Sequence, residues 1–271
     1  MTSSWQTLLG ILILVGGLVL AGCGGGAPEQ AAPASGETPG TRVAQAPPPP
    51  SSDAVASQGT SSVTGRITYE GEVPNLRPLK MDADPGCLKK HSSEVMPEVL
   101  VLGDGNSLAN VFIRVTSGLP AGQSYRTPGE PVVMDQRGCR YKPHVLGIMV
   151  DQPFKIINSD GLLHNVHSLP KINTPFNRAM PANVTEAEYK FAKEEVMFKI
   201  KCDVHPWMGA WVGVLPHPFF SVSGADGDYS INGLSAGTYE IEAWHERLGS
   251  QTMTVTVADG ETGTGDFVFT R

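Results

Sequence analysis

From residue 61 onward the chain consists of short runs in which apolar and polar residues alternate, each run ended by Gly, Pro, Asp or Asn. VMFKIKC is the clearest of them: Val196, Phe198, Ile200 and Cys202 share one face, Met197, Lys199 and Lys201 the other. A period of two specifies half-buried strands, and no segment carries a long helical period. TEAEYKFAKEE, residues 185–195, comes nearest to one, but Tyr189 and Phe191 alternate with Lys190, so it reads as a strand and turn. The expected fold class is all-β.

The strand ending at Cys202 runs straight into DVHPWM, so a thiol, the imidazole of His205 and the thioether of Met208 share one tight connection. Upstream, PFKIINSDGLLHNVHSLP reads as a strand over 154–157, a turn at Ser159-Asp160-Gly161 and a second strand that includes His164. In extended backbone His164 and Val166 face one side while Asn165 and His167 face the other, so only one of the two histidines should join Cys202. Soft sulfur suits Cu(I) and imidazole nitrogen accepts both oxidation states, so one Cys, two His and one Met compose a donor set for copper that cycles. Taken singly, Cys202 could be a buried apolar thiol, the histidines surface or capped residues, and Met208 core filler. Their joint spacing favours copper, with an empty or zinc-filled site as the alternative.

His164-Asn165-Val166 followed downstream by C-x-x-H-x-x-M resembles the cupredoxins, and the short HPWM spacing is most similar to their amicyanin/plastocyanin-like type 1 copper branch. The resemblance covers residues 119–218, most strongly 154–214. It implies a Greek-key β sandwich with one mononuclear type 1 (blue) copper. Cys202, His164 and His205 would lie near a plane, with Met208 as the long axial ligand. It further implies single-electron transfer between redox proteins, a donor and an acceptor, and no catalytic activity. In the family the Asn after the first His braces the residue after the Cys; here these are Asn165 and Asp203, where the family carries Ser or Thr. The edge of the second His usually lies in an apolar docking patch, so His205 with Trp207 is the expected electron exit. Pro206 stiffens the loop by fixing its own φ and restricting His205. An enzyme would need an exchangeable coordination position or a second metal. Copper delivery, or a structural cell-envelope role, is the alternative function.

The flanks of this region resemble each other's missing half. VTGRITYEGEVP and LANVFIRV are similar to the opening strands of carboxypeptidase-regulatory-like β sandwiches, and GADGDYSINGLSAGTYEIEAW to the second half. The expectation is a second, smaller β sandwich in two pieces, 61–118 and 219–271, with the cupredoxin domain inserted as 119–218. Insertion at a surface loop is physically tolerable. Two tandem β units are the alternative.

The apolar run from Leu8 to Leu20 is short for a membrane span and reads as the core of a signal peptide over 1–22, although no Lys or Arg precedes it. Leu20-Ala21-Gly22-Cys23 resembles the lipobox of bacterial lipoproteins, which implies a lipid on Cys23 and a membrane anchor. Residues 23–60 lack large apolar side chains and should form a flexible linker. The protein is thus expected to be exported, on the periplasmic or outer face of the envelope, and monomeric. A net charge of −7 argues against nucleic acid. With Cys23 lipidated and Cys202 on the metal, Cys87 and Cys139 are left to form a disulfide in an oxidising compartment. A second metal site using His91 and His144 is the alternative. His144, His217 and His245 have no ligand partners at recognisable spacing.

Overall fold

The structure, a computed structural model, describes residues 59–271. The expected signal peptide, Cys23 and the expected linker as far as residue 58 lie outside the described residues. Among those described, no helix is long and apolar enough to cross a membrane. The chain begins with β1 (Ser61–Glu70), passes a one-turn helix α1 (Pro85–Leu88), and forms β2 (Phe112–Ser117). Nine strands follow: β3 (Val132–Gln136), β4 (Tyr141–Lys142), β5 (Val145–Met149), β6 (Phe154–Asn158), β7 (His164–Leu169), β8 (Asn177–Met180), β9 (Glu186–Tyr189), β10 (Glu195–Lys201) and β11 (Gly209–Leu215). The last six are β12 (Phe220–Val222), β13 (Asp228–Leu234), β14 (Gly237–His245), β15 (Gly249–Val257), β16 (Thr262–Thr264) and β17 (Phe267–Thr270).

Strands from the two ends of this region pair with each other. β1 lies between β13 and the successive strands β16 and β17, and β2 lies between β12 and β14, which continues to β15. Register partners such as Thr64 with Ser230 and Ile113 with Ala243 join residues far apart in sequence. The inward positions of β1, β13 and β14 supply one core: Val63, Ile67, Tyr69, Ile231, Leu234, Tyr239 and Ile241, all buried.

β3–β11 form a second sandwich, with sheets ordered β5-β11-β10-β7-β8 and β4-β3-β6-β9. Two pairings in it are parallel, β5 with β11 and β3 with β6, so the chain must cross between the sheets rather than meander. Met134, Ile148, Phe154, Ile156, Val166, Phe198, Ile200 and Val212 fill this second sandwich. A small third cluster, Phe112, Val145 and Leu215 with Trp211, Phe220 and Trp244 against it, joins the two sandwiches.

The course of the chain departs from the sequence reading in three places. Residues 79–95 do not stay with the first sandwich, because Leu79, Met81, Cys87 and Val95 pack on the core of the second. Conversely Leu119 and Tyr125, expected inside the insertion, still pack on the first core. The alternation of VMFKIKC also breaks at a bulge between Glu195 and Phe198, where Met197 has φ 57°. A bulge re-aims side chains: Phe198, Ile200 and Cys202 remain in the core, while Val196 turns with Met197 to the junction between the sandwiches.

Candidate metal centre

The site is assembled at one rim of the second sandwich. β10 and β11 pair as a hairpin up to Lys201 opposite Gly209, and the intervening loop is closed by its own backbone. Cys202 N–H donates to Met208 O at 3.3 Å, and Met208 N–H to His205 O at 2.9 Å. His205 N–H points back at Cys202 Sγ, 3.4 Å away. β7 starts with His164, after a turn in which Gly161 takes φ 63°, a conformation that favours glycine. Pairing of β7 with β10 brings His164 across to the loop.

Cys202 Sγ and the ring nitrogens of His164 and His205 lie within 4.8 Å of one another. The two Nδ1 atoms are 2.9 Å apart, and His205 Nδ1 is 3.9 Å from Cys202 Sγ. All of this is sealed: His164 is 0% exposed, His205 1%, Cys202 and Met208 2%. Met208 belongs to the same core cluster as Cys202. Burial pushes the Cys202 thiol up, but hydrogen bonds from His164 and from the N–H groups of Asn165, His205 and Val204 outweigh it and hold the thiol below its ordinary value. For His164 burial acts downward, and the bonds to Asp160 and Cys202 reverse it, raising the imidazole. A thiol and two ring nitrogens that converge, with the thioether of Met208 in the same buried cluster, form a donor set that fits copper in either oxidation state.

The structural neighbours of the chain are cupredoxins. The Cu(I) form of an amicyanin variant is 20% identical, with TM-score 0.28, covering 38% of this chain and 97% of its own. The purple cupredoxin of Nitrosopumilus maritimus is 28% identical, with TM-score 0.24, covering 28% of this chain and 81% of its own. The copper-containing nitrite reductase of Thermus scotoductus SA-01 is 20% identical, with TM-score 0.28; 36% of this chain matches 25% of that one, so only a quarter of the reductase is spanned. No protein-family model matches, and no curated protein does.

Asn165 braces Asp203 as expected, through backbone and side chain together. Asn165 Oδ1 accepts from Asp203 N at 2.6 Å, and its Nδ2 donates to Asp203 Oδ2 at 3.1 Å. The carboxylate that replaces Ser or Thr also receives Asn177 Nδ2 and His167 Nδ1, both at 2.9 Å, and pairs with Lys201 at 2.7 Å. These contacts, Lys201 foremost, hold Asp203 well below the usual carboxylate range. His167 therefore faces Asp203, outside the ligand cluster. Tyr141 donates its hydroxyl to Asn165 O, and burial raises that phenol far above its ordinary value.

The expected exit at the edge of His205 is closed, which corrects the sequence reading. His205 Nε2 meets Asp84 Oδ2 at 2.9 Å and Cys87 Sγ at 3.5 Å, beneath α1. Asp84 is the N-cap of that helix, accepting at Oδ1 from Gly86 and Cys87 N–H, and its carboxyl is lowered chiefly by the bond to His205. A Cys87–Cys139 disulfide staples α1 to the β3–β4 turn, so neither sulfur is free for a second metal site. His91 instead meets Gly138 O, and His144 meets Gly209 O and Glu246. The Trp207 ring lies 5.0 Å from the His205 ring, tilted by 37°, donates Nε1–H to Cys139 O, and lines an open cavity of about 400 Å³ with Arg140, Lys199 and Trp211.

Two site residues escaped the sequence reading. Asp160 Oδ2 meets His164 Nε2 at 3.0 Å. Burial pushes Asp160 up, but His164, the N–H groups of Cys139 and Gly138, and Lys90 bring it down to about 2. Its position four residues before His164 was a usable signal. Asp84 had none, because nothing in the spacing ties it to His205.

Proposed function

We propose that this chain is an extracytoplasmic, membrane-tethered type 1 copper protein that passes single electrons between redox proteins. The observation that carries the reading is the convergence of both Nδ1 atoms beside Cys202 Sγ, with Met208 in the same buried cluster. His164, Cys202, His205 and Met208 would hold the ion. A bound copper ion supplies a one-electron couple. The protein's part is to keep the donors still as charge changes, and the closed 202–208 loop, the Asn165 brace and the disulfide serve that end. Four protein donors leave no coordination position for a substrate, which supports a carrier over an enzyme. Burial of all four supports a carrier over a delivery protein, whose metal must exchange with a partner.

With the His205 edge covered, the docking face we assign is the mouth of the cavity beside Trp207. The anchor at Cys23 and the location outside the cytoplasm belong to this proposal on the strength of the N-terminal sequence alone. Metal analysis and an electronic spectrum of the Cu(II)-loaded protein test it. One copper per chain and an intense visible thiolate-to-copper band are expected, and Cys202→Ser should abolish the band. A colourless wild-type protein refutes the reading.

A further inference from the structure

Each imidazole of the pair is gripped at Nε2 by a carboxylate, His164 by Asp160 at 3.0 Å and His205 by Asp84 at 2.9 Å. An ionised carboxylate only accepts hydrogen bonds, so each Nε2 must carry a hydrogen. A neutral ring with its hydrogen there keeps its lone pair on Nδ1. Those Nδ1 atoms are the ones that face each other at 2.9 Å. Two lone pairs at that separation repel unless a cation or a proton stands between them. We propose that Asp84 and Asp160 are positioning residues that fix both imidazoles with the hydrogen on Nε2, so that both Nδ1 lone pairs are presented to one copper ion.

The inference rests on the copper reading above and adds to it. The two carboxylates come from outside the strands that carry the ligands. Asp160 sits in the turn before β7, where its oxygens also accept from Gly138 and Cys139 N–H at 2.7 Å and pair with Lys90 at 3.3 Å. Asp84 reaches in from the arm that covers His205, and that arm is fixed by the Cys87–Cys139 disulfide and by Leu79 N–H bonded to Val95 O. Both rings are thus pinned at the atom away from the metal, and His205 cannot swing out without breaking the cover. An anionic partner on the far nitrogen raises the donor strength of the near one, which favours Cu(II) over Cu(I).

Asp84→Ser in the full chain is the test. Serine can still cap α1 but places no anion on His205. Cu(II) affinity, measured by chelator competition, should fall about 10- to 100-fold. A loss tenfold larger for Cu(II) than for Cu(I) appears as a reduction potential raised by about 59 mV. Asp84→Glu should recover part of both changes. In the metal-free wild type, ¹H–¹⁵N spectra of the imidazoles should show a hydrogen on Nε2 of both rings. Asp84→Ser should perturb only the His205 signals and Asp160→Asn mainly those of His164. Unchanged affinity and potential in folded Asp84→Ser, or a wild-type ring lacking hydrogen on Nε2, overturns the proposal. The NMR measurement needs no copper: rings held as stated in a protein that never develops the visible band would sink the electron carrier and keep the ring assignment.

Discussion

The rings of His164 and His205 meet at 68° with their Nδ1 atoms 2.9 Å apart, in a pocket that solvent does not reach. Such a pair is mutually repulsive when both rings are neutral with their hydrogens on Nε2, so the folded state gains from whatever cation occupies the gap. Copper should therefore act as a folding ligand. At free copper one hundred times its dissociation constant, linkage adds about 2.7 kcal/mol. The expected result is a clear rise in Tm on loading and its reversal by a chelator. Identical melts with and without copper would contradict it.

Met208 is buried and closes the ligand loop through its backbone N–H and C=O, contacts that do not need its side chain. Met208→Leu conserves volume and should cost under about 1.5 kcal/mol. The visible band should survive, since the thiolate remains, while the potential shifts with loss of the thioether that would be a donor. Spectroelectrochemistry of the variant checks both. Loss of colour with an unchanged melt would make Met208 a primary ligand instead.

Glu195 is only 6% exposed and holds the 171–173 turn, accepting from Lys171 N–H, from Ile172 N–H at 3.1 Å and from Asn173 N–H at 2.8 Å. Burial raises this carboxyl, yet the donated hydrogen bonds leave it below its ordinary value. Glu195→Ala strands several donors at once and should destabilise by about 3 kcal/mol. Because the turn lies away from the ligands, the copper spectrum should not change. Urea titration followed by the spectrum of the surviving folded fraction reads both effects.

Much of this architecture was legible because strands write their period into the sequence. The alternation in VTGRITYE and TYEIEAW marks inward residues that the structure buries, Val63, Ile67, Tyr69, Tyr239, Ile241 and Ala243 among them. Cys202, His205 and Met208 could be read together because one loop carries them, and His164 because only a strand start could aim it there. The rest was written nonlocally. Val196 leaves the core because Met197 adopts φ 57°, which no alternation rule anticipates. The arm of residues 79–95 lacks regular strands, so nothing in its pattern shows which sandwich it covers. Its consequences, the Asp84 contact and the closed edge of His205, were invisible for the same reason.

His217 and His245 sit in or beside the first sandwich, their rings tilted against those of Phe219 and Phe269, and burial depresses both from 6.5 to about 4. For His217 the charge of Arg114 pushes the same way. An unfolded chain takes up these protons as pH falls below about 6.5, whereas the folded chain resists until about 4, so the unfolded state binds more protons across that window. Stability is then full above pH 6.5 and is lost as pH falls toward 4, by about 3 kcal/mol for each histidine. His217→Gln removes one of the two titrations while keeping an acceptor for the Phe219 N–H that His217 Nδ1 receives at 3.3 Å. Urea midpoints at pH 7, 5.5 and 4.5, measured on metal-free wild type and variant together, share every other titration. The variant should lose about 2 kcal/mol less between the extremes, because pH 4.5 still lies above the folded value. Parallel pH profiles for the two proteins would mean that His217 gains its proton before the chain unfolds, and that its burial does not govern acid stability.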